Sequence, residues 1–76
     1  MLGTELRKAR EAAGLSQERL GFKADVHRTY VSMLERGKAS PTVETLFRLC
    51  RAMRIRASDF IRRVEKASER TSTKRG

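Results

Sequence analysis

Apolar residues recur along this chain at helical spacing, and stop residues cut the pattern into five short segments. Leu2, Leu6, Ala9 and Ala13 fall at i, i+4, i+7 and i+11, and Gly14 supplies a helix stop. Ser16 is a good N-cap for a second helix, although the full capping box fails because Arg19 stands three residues on. Leu20 and Ala24 form that helix's inner face, and Asp25 breaks it ahead of Val26. A third segment turns Val31 and Leu34 inward and ends at Gly37. Ser40-Pro41-Thr42 reads as a loop capping a fourth helix, whose inner stripe is Val43, Leu46, Phe47, Cys50 and Met53. Ala57, Phe60, Ile61 and Val64 make a fifth, shorter amphipathic segment. No stretch alternates apolar and polar residues with β-branched enrichment, so the pattern predicts an all-α, compact bundle of five short helices. No internal repeat or linker divides it.

Length and charge narrow what such a bundle does. At 76 residues it is one small domain, read as residues 1–68 followed by a basic tail, 69–76. A chain this size buries only about 60% of its unfolded surface, too little for a deep substrate cleft. Eighteen Lys and Arg against nine Asp and Glu give a net charge of +9, which points to nucleic acid or an anionic membrane surface without choosing between them. No run of about 18 apolar residues exists to span a bilayer, and the start, Met1-Leu2-Gly3-Thr4-Glu5, lacks an apolar signal segment. A single cysteine, Cys50, excludes an intramolecular disulfide, and a single histidine, His27, leaves too few soft ligands for a structural zinc site. These features suit a reducing cytoplasm. Arg70 to Gly76 has three basic residues and no apolar one, so it is expected to be disordered, either solvated or touching phosphate nonspecifically.

A bundle explains the apolar positions but not residues 27–33. Two short helices joined by a turn of about three residues pack near perpendicular only if certain positions comply. A small residue is needed where they cross, and Gly21 is there. One turn residue must approach the left-handed region, where Asp is better tolerated than most types, and Asp25 is there. With Leu20, Ala24, Val26, Val31 and Leu34 inward, Arg28, Thr29, Ser32 and Met33 face outward on the second member of the pair. That arrangement is a helix-turn-helix, whose second helix enters the DNA major groove N-terminus first.

On such a helix Arg28 can pair bidentately with guanine, the alternatives being phosphate or solvent. Thr29 suits a thymine methyl or a phosphate. Ser32 follows Arg28 by one turn and suits a base or a phosphate, and Met33 suits a thymine methyl or a gap near the turn. His27 reads as a phosphate contact near a helix N-terminus. It does not read as a metal ligand or catalytic base, because no second His, carboxylate pair or nucleophile is placed to cooperate. Cys50, on a buried stripe, reads as an inert core thiol.

Ser16-Gln17-Glu18-Arg19-Leu20, Arg28-Thr29-Tyr30-Val31-Ser32 and Leu34-Glu35-Arg36-Gly37, in that order, resemble the XRE/Cro-type, lambda-repressor-like helix-turn-helix family. The likeness continues through Ser40-Pro41-Thr42-Val43-Glu44-Thr45-Leu46 and covers roughly residues 2–64. It implies a sequence-specific transcriptional regulator that binds double-stranded DNA, and no catalytic constellation or effector domain in the sequence points to an enzyme, a cofactor or a small-molecule effector. In this resemblance Arg28, Thr29, Ser32 and Met33 match the base-reading face. Gln17, Tyr30, Arg36, Lys38 and Ser40 fall where the family contacts the backbone, Tyr30 alternatively serving only to pack. Arg10 and Glu35 match a pair that bridges the first helix to the end of the third. Repressors similar to this chain read inverted repeats as two-fold dimers. The expected homodimer seam is Ile55, Phe60, Ile61 and Val64, part of whose stripe must also cover the core. Phage repressors and the controller proteins of restriction-modification systems are resembled equally. The alternative is an antitoxin or other protein-interaction module with autoregulatory DNA binding. Four positions depart from the family pattern. Asp25 and Arg54 stand where glycine is common, His27 where a Ser or Thr cap is usual, and Arg56 where a Ser or Asp cap is usual.

Overall fold

The computed structural model describes residues 2–72 of the chain. These form five helices and, among the described residues, no strand: α1 (Leu2–Ala12), α2 (Gln17–Ala24), α3 (Arg28–Glu35), α4 (Val43–Ala52) and α5 (Ala57–Ser72). Side-chain caps set three of the starts. Ser16 Oγ accepts from the Arg19 N–H at 3.0 Å, and Thr42 Oγ1 accepts from the Thr45 N–H at 3.1 Å. His27, expected to cap poorly, uses imidazole Nδ1 instead of a hydroxyl and accepts from the Thr29 N–H at 3.0 Å.

Four helices stop in one way. A left-handed residue follows the helix, and the next N–H reaches back five residues to satisfy an otherwise orphaned carbonyl. The left-handed residues are Gly14, Asp25, Gly37 and Arg54, with φ of 74°, 61°, 74° and 60°. The closing bonds are Leu15 to Arg10, Val26 to Gly21, Lys38 to Met33 and Ile55 to Cys50, at 3.1, 2.8, 2.8 and 3.0 Å. Leu15, Val26 and Ile55, each just past a stop, then fold back against the core. Asp25 and Arg54 therefore perform glycine's task with side chains that disfavour it.

The helices pack α2 on α3 and α4, α1 on α3 and α5, and α4 on α5. Leu6, Leu20, Val31, Leu34, Leu49 and Phe60 are wholly buried where they meet, with Cys50 and Met53 beside them. At the α2–α3 crossing, a Cβ on Gly21 would lie 2.6 Å from the Val26 carbonyl and 3.2 Å from the Arg28 amide, so only glycine allows this approach.

Three expectations are corrected here. On α4 the inward line runs Leu46, Leu49, Cys50 and Met53, while Val43 and Phe47 are 68% and 50% exposed. The i+4 step from Val43 to Phe47 follows the flank of the stripe, and Leu49 was missed. Phe60 is wholly enclosed within the protomer and has no surface to offer a second copy, so it is removed from the dimer seam. Finally, α5 is the longest helix, at 16 residues, and the boundary expected at 68 falls inside it. Its apolar stripe fades after Val64, but Glu65 to Glu69 are mostly good helix formers without Gly or Pro, so the backbone continues. Residues 73–76 of the expected tail lie outside the described residues.

Candidate nucleic-acid interface

The packing of α3 decides which of its side chains remain available. Val31 and Leu34 are wholly buried against α1 and α2, which turns the opposite side of the helix outward. Arg28 and Thr29 are exposed there, and Ser32 and Met33 are partly exposed. The helix is only eight residues long, so this face is short and includes the N-terminal turn capped by His27. Arg28 leans toward α2, its guanidinium 3.8 Å from the Glu18 carboxylate, with both side chains largely in solvent. Such an exposed pair is worth at most about 1 kcal/mol and yields readily to a better partner.

The residues expected on the DNA backbone separate into two groups. Arg36, Lys38 and Ser40 are exposed after α3, and their side chains have no hydrogen-bond or ion-pair partner among the described residues. Tyr30 is half-buried, and its hydroxyl donates to the Ser40 carbonyl at 3.4 Å, tying α3 to the loop that follows it. Gln17, by contrast, is recruited inward. Its amide Nε2 donates to Glu35 Oε1 at 3.0 Å.

Glu35 is the centre of that inner network. Arg10 Nε donates to its Oε2 at 2.6 Å and Arg10 Nη2 to its Oε1 at 3.2 Å, a two-pronged contact across 25 residues. Arg10 Nη1 also donates to the Leu15 carbonyl at 2.8 Å, reaching the segment just past α1. The hydrogen bond to Glu35 raises the Arg10 pKa, which burial opposes without reversing. With the two side chains only 11% and 4% exposed, the pair joins α1 to the end of α3, and Gln17 adds the start of α2. Reading the sequence found Arg10 and Glu35 but not Gln17's attachment to them, nor Glu18 beside Arg28. Neither partner falls on an apolar stripe.

Among the described residues, no cluster of His, Cys, Asp and Glu is placed to hold a metal ion. No helix there is long and apolar enough to cross a membrane. Cys50 is 1% exposed, and burial pushes its thiol pKa up, away from a reactive thiolate.

Comparison with known proteins gives one consistent outcome. The helix-turn-helix family model matches residues 6–60. Control protein C.BamHI of Bacillus amyloliquefaciens is 31% identical over 62 residues, covering 80% of this chain and 76% of that protein. Among solved structures, the restriction-modification controller protein C.AhdI from Aeromonas hydrophila is similar at 36% identity with a TM-score of 0.75, covering 78% of this chain and 89% of that one. The clp gene regulator ClgR from Corynebacterium glutamicum is similar at 26% identity with a TM-score of 0.89, covering 97% and 79%.

Proposed function

This chain belongs to the XRE-type helix-turn-helix family and is a DNA-binding transcriptional regulator, and we propose that it acts in the cytoplasm as a homodimer on a short inverted repeat. The observation that carries the reading is the division of α3 into a wholly buried side, Val31 and Leu34, and a short outward face beginning at Arg28. A helix held in that way enters the major groove N-terminus first. Arg28 reads a guanine through its two forked donors, while Thr29, Ser32 and Met33 meet neighbouring base edges or methyl groups. Arg36, Lys38 and the Ser40 region neutralise or receive phosphates, which sets affinity and register but not sequence. His27 keeps its Nδ1 for the cap and offers its other ring nitrogen to a phosphate beside the helix N-terminus.

The network around Glu35 supports this face from behind. Because Gln17 Nε2 gives one of its two N–H groups to Glu35, the second N–H, the amide oxygen and the first backbone amides of α2 remain for DNA. Tyr30 acts chiefly by fixing the loop that carries Lys38 and Ser40. A second copy supplies the other half-site, about one helical turn away. Ile61, 47% exposed, supports α5 as the seam, with the partly buried Ile55 and Val64 beside it; Val43 and Phe47 supply further apolar surface on α4.

Selection of duplexes bound from a random-sequence pool tests the reading. The expected result is one enriched motif with two-fold symmetry. A pool that remains random after several rounds rejects sequence-specific recognition. A stoichiometric protein co-purifying with the chain would favour the antitoxin-like alternative.

A further inference from the structure

Apart from the outward face of α3, the C-terminal ends of α2 and α4 flank an open groove of about 360 Å³. Lys23, Arg48, Arg51 and Arg54 line it, with Asp25 as its single carboxylate. None of the four cations forms an ion pair with a carboxylate among the described residues. Helix dipoles account for two of them, since Lys23 and Arg51 occupy the last turns of α2 and α4. They do not account for Arg48. Arg48 has its Nε shielded from solvent without a hydrogen-bond acceptor, a costly arrangement for a charged donor. Arg54, one residue past the α4 C-cap, also faces that helix's negative end, but it holds φ at 60°, where glycine would sit without strain.

We propose that this groove binds a phosphoryl anion, received by the guanidinium groups of Arg48, Arg51 and Arg54 and by the Lys23 ammonium. Guanidinium forks match phosphate oxygens two at a time, and several forks around one small groove favour a group with three or more oxygens over a lone carboxylate. The volume falls in the range of small-molecule sites, about 300–1,000 Å³. Two sources share this chemistry, a free oligophosphate and a backbone phosphate of bound DNA. The free anion is favoured by position. Arg51 lies eight residues beyond Val43, about 12 Å along α4 at about 1.5 Å per residue, away from the loop carrying Lys38 and Ser40. The groove also shares no residue with the proposed DNA-contacting set.

Sodium tripolyphosphate, titrated at constant ionic strength into the full ¹⁵N-labelled chain and followed by amide shifts, tests the site. Saturable shifts centred on residues 23–25 and 48–54 are expected, weakened about tenfold in Arg48→Gln and in Arg51→Gln and retained in Lys38→Gln. Arg51 is exposed, so its variant keeps the test decisive if Arg48→Gln does not fold. The salt dependence of DNA binding distinguishes the sources. An unchanged slope in Arg51→Gln assigns a free anion, and a slope smaller by about 0.9 per bound protomer assigns a DNA phosphate. Shifts that never saturate, that centre on Arg36 and Lys38, or that persist undiminished in a folded Arg51→Gln overturn the proposal.

Discussion

Glu35 gathers side chains from α1 and α2 onto the end of α3, and its partners lie 25 and 18 residues away in sequence. Removing the carboxylate leaves a nearly buried guanidinium without its counter-ion. Glu35→Ala is therefore expected to destabilise the fold by about 3 kcal/mol in urea unfolding, and Gln17→Ala by about 1 kcal/mol, the worth of one hydrogen bond. Equal, small effects would show that the network contributes little. Such contacts are poorly legible in sequence, because periodicity reports which side of a helix is buried and not which polar groups meet. Arg10 and Glu35 were found through a family likeness. Gln17 was assigned outward by the same likeness and is drawn inward by a carboxylate that no local pattern places beside it. Cys50 behaves as its stripe implied. Because burial raises its pKa, the folded state holds the proton more tightly than the unfolded state. Its contribution is fully present below the ordinary thiol pKa of about 8.5 and declines as pH rises above it. Reaction with a thiol reagent at neutral pH is accordingly expected only on unfolding; immediate stoichiometric labelling of the native protein would contradict this.

At the scale of elements, the helix stops were visible at the two glycines and the turn aspartate. The fourth is signalled only by the family likeness, which puts glycine where Arg54 stands; the residue type itself gives no hint of left-handed backbone. Arg54→Gly relieves that conformation and is expected to raise stability by about 0.5–1 kcal/mol, less than the full strain because glycine also frees the unfolded chain. A loss in thermal unfolding would mean that the arginine's contacts outweigh its strain. Gly21 was legible for a sound reason, since a close helix crossing needs a residue without a Cβ. Gly21→Ala drives a methyl into the Val26 carbonyl and is expected to cost about 1–3 kcal/mol. The inner face of α4 was read less well. Phe47 outranks Leu49 in size but not in phase, and only the neighbours of α4 settle which flank is covered. The end of α5 was misjudged because apolar spacing is silent about a polar helix that continues on propensity alone.

For the whole molecule, the +9 charge divides among roles. Arg10 holds helices together, Arg28 faces outward from α3, Arg36 and Lys38 follow it in solvent, and a separate basic groove closes the ends of α2 and α4. Composition gave the sum and the fold gives the partition. The apolar surface left exposed on α4 and α5 supports the proposed homodimer, for which Ile61→Asp is expected to halve the sedimenting mass with helicity unchanged. An unchanged mass for the folded variant would place the seam elsewhere.

We propose that α3 reads bases while the residues after it hold phosphates. Binding of the selected duplex, and of each of its single-base variants, by the parent, Arg28→Ala and Lys38→Ala tests this most directly. Arg28→Ala is expected to lose about 1–3 kcal/mol of discrimination at one base pair per half-site and nowhere else. Lys38→Ala should weaken all duplexes alike and lower the salt slope. If Arg28→Ala instead weakens every duplex equally and preserves the full pattern of base preference, α3 does not read sequence through Arg28.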